Sequence, residues 1–125
     1  MLLSIATDIV IVFFVGMGLL ALASPESITR PFGTTTLTPA GRNEVRAVYG
    51  GFGLAVAAML VLALCTPALR AGILLAVAAS LAGMAGGRVL AAIVERPPAF
   101  YPSWFYCGLE TAMAVILWLE ASRPA

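Results

Sequence analysis

The sequence has 125 residues, of which 62% are hydrophobic and only 10% are charged. Soluble domains carry about a quarter charged residues, so this composition excludes an ordinary soluble domain. Seven basic residues, all arginine, nearly balance six acidic ones and give a net charge of +1. The chain therefore has neither the basic surplus of a nucleic-acid-binding protein nor an acidic tail.

The first apolar stretch covers residues 4–23 and is long enough to cross a bilayer. A transmembrane helix needs about 20 apolar residues to cross about 30 Å of hydrocarbon. A signal peptide is the main alternative, but it starts with basic residues, and here no Arg or Lys precedes Ala23. We therefore predict a retained transmembrane helix, with Asp8 near its solvated start.

Three further helices are predicted from apolar stretches that start at Thr38-Pro39, Thr66-Pro67 and Pro102-Ser103. A polar loop over 24–38 leads to a helix over 39–65, followed by helices over 67–94 and 103–121. Ser or Thr stands next to Pro at each of these starts, a pattern typical of a helix N-terminus. We predict an all-α fold: a single transmembrane domain over residues 1–125, arranged as a four-helix bundle of up-down-up-down topology with both termini on the same side.

Two charges interrupt the apolar stretches of the last two helices. Arg88 lies about seven residues before the end of the third helix, and Glu110 lies about seven residues after the start of the fourth. Helices joined by a short loop run antiparallel, so both side chains should lie at the same depth, roughly 10 Å from the loop. An isolated charge at that depth costs about 3 kcal/mol on insertion scales. We predict that Arg88 and Glu110 pair in the interior of the bundle.

The faces of the helices predict a polar pocket and two packing stripes. Polar side chains from three helices are expected to line one cavity: Asn43, Arg46, Tyr49, Arg88, Tyr106 and Glu110. Small residues that allow close helix approach are Gly50, Gly53 and Ala57 on the second helix, and Gly83 and Gly87 on the third. At the chain end, Glu120 and Arg123 are predicted to form the solvated end of the last helix.

Several kinds of chemistry are not expected. The sequence lacks histidine, the commonest general base and metal ligand, so we predict no catalytic residues, no metal site and no cofactor. Cys65 and Cys107 stand at opposite ends of their helices, too far apart for a disulfide. We interpret both as small buried residues. The protein is expected not to be an enzyme.

Three segments of the chain resemble a known family. These are NEVRAVYGGFGLA at the start of the second helix, GGRVLAAIVERPP at the end of the third, and the segment around Glu110. They resemble the small four-helix bacterial membrane proteins known as domain of unknown function 4345, most specifically in R-A-x-Y-G-G from Arg46 to Gly51 and in Gly87-Arg88. The resemblance covers nearly the whole chain, although Arg96 stands where we expect Gly before the Pro pair. It implies a multi-pass protein of the bacterial inner membrane and no particular reaction.

The sequence is compatible with three functional hypotheses. The first is a non-enzymatic membrane protein whose polar layer binds a small, anionic molecule, a lipid headgroup or a partner helix. The second is a small proton-coupled transporter with Glu110 as the proton and substrate site. The third is an accessory subunit of a membrane enzyme or redox complex. The expected partners are the lipid bilayer and a second copy or a larger membrane complex, with no nucleic acid.

Overall fold

The computed structural model describes residues 2–96 and 99–124, with side chains from Ile5 onward. Pro97 and Pro98, the Pro pair of the last loop, lie outside the described residues. The helices are α1 (Leu2–Ala23), α2 (Pro25–Thr29), α3 (Pro39–Val45), α4 (Phe52–Cys65), α5 (Pro67–Val94) and α6 (Phe105–Ala121). A 3₁₀ turn covers Arg30–Phe32, and π-helical turns cover Arg46–Gly51 and Phe100–Trp104. No strand occurs in this part of the chain.

Three helical segments of the described chain are long and apolar enough to cross a membrane: Ile5–Ala23, Pro39–Cys65 and Pro67–Val94. The second of them is continuous, because the π-helical turn joins α3 to α4. These segments fit a membrane location, as the composition predicts. The last helix, α6, has 17 residues and is shorter than the other three segments.

Proline and threonine set the start of the second long segment. Pro39 takes the first helical position, and the Thr38 side chain accepts a hydrogen bond from the backbone N–H of Gly41 at 3.1 Å. This cap satisfies one of the four N–H groups that a helix start leaves unpaired. The segment 24–38 before it differs from the predicted polar loop, since it contains α2 and the 3₁₀ turn.

The chain divides into two compact units, and the first of them comprises Asp8–Val61. Its core consists of Ala21, Ile28 and Val45, with Met17 and Leu37 packed against them. Burial of these side chains joins the end of α1 to α2 and to the start of the second long segment.

Glycines allow α1 and α4 to approach closely within this unit. A Cβ added at Gly18 would lie 2.9 Å from Leu54 Cγ and 3.2 Å from the backbone oxygen of Gly50. One added at Gly50 would lie 2.6 Å from Leu22 Cδ2, and one at Gly53 would lie 3.6 Å from a carbonyl of α1. The packing role predicted for Gly50 and Gly53 is therefore visible in the fold, and Ala57 on the same helix is 3% exposed.

The second unit contains the chain up to Thr7 together with the chain from Leu62 onward. Its main feature is the packing of α5 on α6, which buries Leu74, Leu81 and Leu117 almost completely. Gly83 and Gly87 do not take part. A Cβ at either position would meet no atom within 4 Å, so the close packing predicted for this stripe is not found in the described chain.

The two glycines of the Gly-Met-Gly segment in α1, Gly16 and Gly18, provide a matched test of the close approach between α1 and the second long helical segment. We predict that Gly18→Ala lowers the free energy of unfolding by about 1–3 kcal/mol, because overpacking pushes against the Gly50 backbone. Gly16→Ala meets nothing within 4 Å and should leave stability unchanged or slightly higher. Thermal unfolding of both variants in the same detergent provides the measurement, and equal stability of the two variants would contradict the proposed contact.

Candidate functional site

Arg88 on α5 and Glu110 on α6 form a two-point ion pair. Arg88 Nε donates to Glu110 Oε2 at 2.8 Å, and Nη2 donates to Oε1 at 2.8 Å. This parallel arrangement is the strongest geometry for an arginine–carboxylate pair. Glu110 is 3% exposed, whereas the Arg88 side chain is 25% exposed. The pairing predicted from the sequence is therefore present.

An aromatic and a thiol group surround this ion pair. The guanidinium carbon of Arg88 lies 5.6 Å from the centre of the Tyr106 ring, within the range of a cation–π interaction. One turn before Glu110, the buried Cys107 thiol donates a weak hydrogen bond to the backbone oxygen of Ala85 at 3.7 Å. Both contacts connect α6 to α5, so the ion pair belongs to a larger contact between these helices.

A second ion pair connects the opposite ends of the same helices. Arg70, in the first turn of α5, donates to Glu120 Oε1 at 2.5 Å, and the Thr7 hydroxyl of α1 donates to Oε2 at 3.2 Å. Glu120 is 2% exposed and Thr7 is 0% exposed. The prediction that Glu120 lies at a solvated helix end is wrong, because its carboxylate is buried between three helices. Arg123 is exposed, as predicted.

The two ion pairs place opposite charges on opposite helices, with both arginines on α5 and both glutamates on α6. Arg70 and Arg88 are 18 residues apart, about 27 Å at a helical rise of about 1.5 Å, whereas Glu110 and Glu120 are 10 residues apart, about 15 Å. Along the helices, the two arginine Cα atoms are therefore about 12 Å farther apart than the two glutamate Cα atoms. The arginine side chains close this difference by reaching toward the middle of the helix pair, opposite to the outward direction that arginine takes when it snorkels to a membrane surface.

The pairs leave no buried polar side chain unsatisfied. Among the described residues, every buried side-chain nitrogen or oxygen atom has a hydrogen-bond partner. Both oxygens of Glu110 and both oxygens of Glu120 accept from named donors. Because an unpaired buried charge is costly and a matched one is tolerated, the arrangement explains how α6 carries two carboxylates on its buried face.

In the first unit, Arg46 and Gly50 both contact Leu22 in the last turn of α1. Arg46 Nε donates to the Leu22 backbone oxygen at 3.0 Å, and Gly50 lies against the Leu22 side chain. Leu22 supplies one of the carbonyls that a helix end leaves unpaired. The π-helical turn over Arg46–Gly51 therefore holds the end of α1 by both its backbone and its side chain.

The six residues of the predicted pocket divide between the two units. Arg88, Tyr106 and Glu110 come together in one unit, as described above. Asn43, Arg46 and Tyr49 belong to the other unit, where all three are exposed. A single pocket that contains all six stays a prediction, and the groups missed by the sequence reading are Thr7, Arg70 and Glu120.

The two cysteines differ in their burial, and the described chain shows no cluster of metal-binding side chains. Both cysteines are free thiols. Cys107 is buried, as predicted, but Cys65 is exposed, so its interpretation as a buried residue is wrong. No group of three or more His, Cys, Asp or Glu side chains in the described residues is placed to hold a metal ion.

A family model described as Domain of unknown function (DUF4345) matches residues 2–120. The chain belongs to this family. The match confirms the resemblance seen in the sequence and covers both ion pairs and the contact of Arg46 with Leu22. No curated protein and no solved structure matches the chain. Membership of DUF4345 therefore assigns no reaction.

The fold shows which contacts the R-A-x-Y-G-G segment of this DUF4345 protein makes. Its arginine binds the last turn of α1 and its first glycine lets that turn approach. A π-helical turn adds one residue to a helical repeat and is frequent at functional sites. The segment therefore combines a packing role with an exposed surface, which includes the Tyr49 side chain at 45% exposure.

A double-mutant cycle measures the coupling of the first ion pair. We predict that Arg88→Gln and Glu110→Gln each lower the free energy of unfolding by about 3 kcal/mol, because the first leaves the buried Glu110 charge without its arginine and the second removes the carboxylate from the part-buried Arg88. The double variant should lose less stability than the two single variants lose in total. The difference, which is the coupling energy of the pair, should be about 1–3 kcal/mol. Arg96→Gln, at an exposed position, is the control. Strict additivity in thermal or denaturant unfolding would contradict the pairing.

Proposed function

We propose that this DUF4345 protein is a non-enzymatic, four-span protein of the bacterial inner membrane that binds a partner transmembrane helix, in the first instance from a second copy. In this proposal the two ion pairs hold α5 and α6 in register. The outer face of α5, defined here as Gly72, Ala76, Ser80, Gly83 and Gly87, is the binding surface. The observation that carries the proposal is that all five residues are small and exposed.

The outer face lies opposite the side of α5 that packs on α6. At about 100° per residue, its five positions cluster within about 80° of one another, on the far side of the helix from Leu74 and Leu81. A Cβ at Gly72, Gly83 or Gly87 would meet no atom within 4 Å. Small residues four apart on an apolar helix allow another backbone to approach closely, which is how helices associate in a membrane.

A neighbouring groove supports a helix as the occupant. It encloses about 430 Å³ between α5 and α6 and includes Trp118. Its lining is apolar throughout: Leu75, Ala78, Ala79, Ala82, Ala114, Val115 and Trp118. Of these lining residues, Ala79 is at the edge of the groove that borders the outer face of α5. An apolar groove beside a flat, small-residue face suits the side chains of a second helix better than it suits a charged molecule.

The other hypotheses receive less support from the same unit. A small anionic ligand needs an available cationic group, yet Arg88 already gives two donors to Glu110. A proton-coupled transporter would need Glu110 to exchange partners, and both of its oxygens are occupied by that same arginine. Nothing in the site favours an accessory role in a redox complex over these two.

The fourth membrane crossing is part of the proposal. The 17 residues of α6 extend about 25 Å at a rise of about 1.5 Å per residue, close to the hydrocarbon thickness. Glu110 and Glu120 are both neutralised by arginine, so neither carboxylate prevents insertion. With four crossings, both termini lie on the same side of the membrane.

Bulky substitutions on glycines with free space provide the test. We predict that Gly83→Leu leaves the protein folded, since nothing lies within 4 Å of that position, but lowers association between copies by at least about tenfold because it blocks close approach. Gly108→Leu places the same side chain at an exposed glycine of α6 that also has free space and serves as the matched control.

The measurement is energy transfer between donor-labelled and acceptor-labelled copies in vesicles, followed as the lipid-to-protein ratio increases. The wild type and Gly108→Leu should associate equally, and Gly83→Leu should not. If the wild type stays monomeric at all ratios, or if both variants lose association to the same extent, the proposed surface is wrong.

A further inference from the structure

Arg46 holds the end of α1 with only part of its guanidinium. Its Nε donates to the Leu22 backbone oxygen at 3.0 Å. Among residues 2–96 and 99–124, no further hydrogen bond or ion pair of Arg46 is found. The side chain is exposed. Its two terminal amino groups therefore remain for an acceptor outside the described residues, while the bond to Leu22 fixes the position of the group.

The contact with Leu22 also fixes the depth of Arg46. The apolar span of α1 ends at Ala23, one residue after Leu22. A guanidinium bonded to the Leu22 carbonyl lies where this span leaves the hydrocarbon. Lipid phosphates lie at the same boundary, and arginine is the side chain that matches phosphate through parallel hydrogen bonds.

The residues that follow Arg46 form a gradient toward the membrane interior. Tyr49 is 45% exposed and Phe52 is 59% exposed. Arg46, Tyr49 and Phe52, three residues apart, are thus cationic, then aromatic with a hydroxyl, then fully apolar, and the exposed Val48 between the first two is also apolar. The order of these three side chains matches the order of headgroup, interface and acyl chain along a lipid.

Arg42, one turn before Arg46 in the same helical segment, has its guanidinium bound within the unit. Arg42 donates to the backbone oxygen of Leu37 at 2.7 Å and lies 3.7 Å from the Glu26 carboxylate. Its charge is balanced within the unit, whereas the charge of Arg46 faces only a backbone carbonyl. A difference between the two arginines is therefore expected in their affinity for an external anion.

We propose that Arg46, together with Tyr49, binds the phosphate of a phospholipid headgroup at the end of α1. Arg46 supplies the charge and the paired donors, and Tyr49 lies below it against the glycerol region. This site belongs to the first unit and does not depend on the outer face of α5. Its occupant is a membrane lipid, and a free phosphate ion is the alternative that the experiment separates.

Arginine modification in the wild-type protein tests the proposal without a substitution. The protein is reconstituted in phosphatidylglycerol vesicles or in vesicles of a phosphate-free glycolipid, treated with a phenylglyoxal reagent and mapped by mass spectrometry. We expect Arg46 to react about fivefold more slowly in the phospholipid vesicles than in the glycolipid vesicles. One arginine near an anionic membrane surface contributes about 1 kcal/mol to binding, which is about fivefold in the fraction protected. Arg30, which is also exposed, is the internal control and should react at about the same rate in both.

A third condition shows whether Arg46 binds the phosphate of a lipid or a free phosphate ion. Inorganic phosphate added to the glycolipid vesicles should leave Arg46 reactive, and protection equal to that of the phospholipid would assign the site to a soluble anion and overturn the proposal. Equal reactivity of Arg46 in both kinds of vesicle would also overturn it. In native mass spectrometry, Arg46→Gln should retain about fivefold less phosphatidylglycerol than Arg30→Gln does, and equal retention would contradict the proposal.

Discussion

A carboxylate in a low-dielectric region must have a cation beside it, and this requirement sets the register of α5 and α6. Glu110 and Glu120 are the two buried acidic residues of the described chain, and each has its own arginine on the facing helix. Sliding one helix along the other by a turn would separate both pairs at once. The apolar residues between the pairs permit many registers, so the charges select one.

The pairs also determine which parts of the molecule are available for binding. Because Arg88 and Arg70 reach inward to the glutamates, their charges are used within the α5–α6 contact. Arg46 differs, since it bonds to a backbone carbonyl and forms no ion pair among the described residues. The proposed helix-binding surface on α5 and the proposed lipid site on the second long helical segment follow from this division between matched and available groups.

The helices were largely predictable, because their length and apolar content leave few alternatives and proline marks three of the starts. The pair of Arg88 and Glu110 was predictable for a related reason: equal distances from a short loop place two residues of an antiparallel hairpin at equal depth. The same argument does not find Arg70 and Glu120, because they lie 18 and 10 residues from Arg88 and Glu110 and are therefore expected at different depths. That pair was missed because a charge at the end of a chain resembles a solvated helix terminus.

Other parts of the site could not be read from the sequence. Gly18 lies in an apolar helix that gives no polar signal, and its role depends on Leu54 lying opposite. The bond from Arg46 to Leu22 joins residues 24 positions apart and depends on the packing of two helices. The small residues of α5 form a pattern in the sequence, but the pattern does not show whether another helix covers them, and here Gly83 and Gly87 are exposed.

The central claim is that two arginines of α5 hold the two buried glutamates of α6 by direct ion pairs. Solid-state NMR of the protein in lipid bilayers, with ¹⁵N in the arginine guanidinium groups and ¹³C in the glutamate carboxyl groups, tests it most directly. Strong ¹⁵N–¹³C dipolar transfer from arginine is expected for both Glu110 and Glu120. No transfer from arginine to either glutamate would contradict the claim.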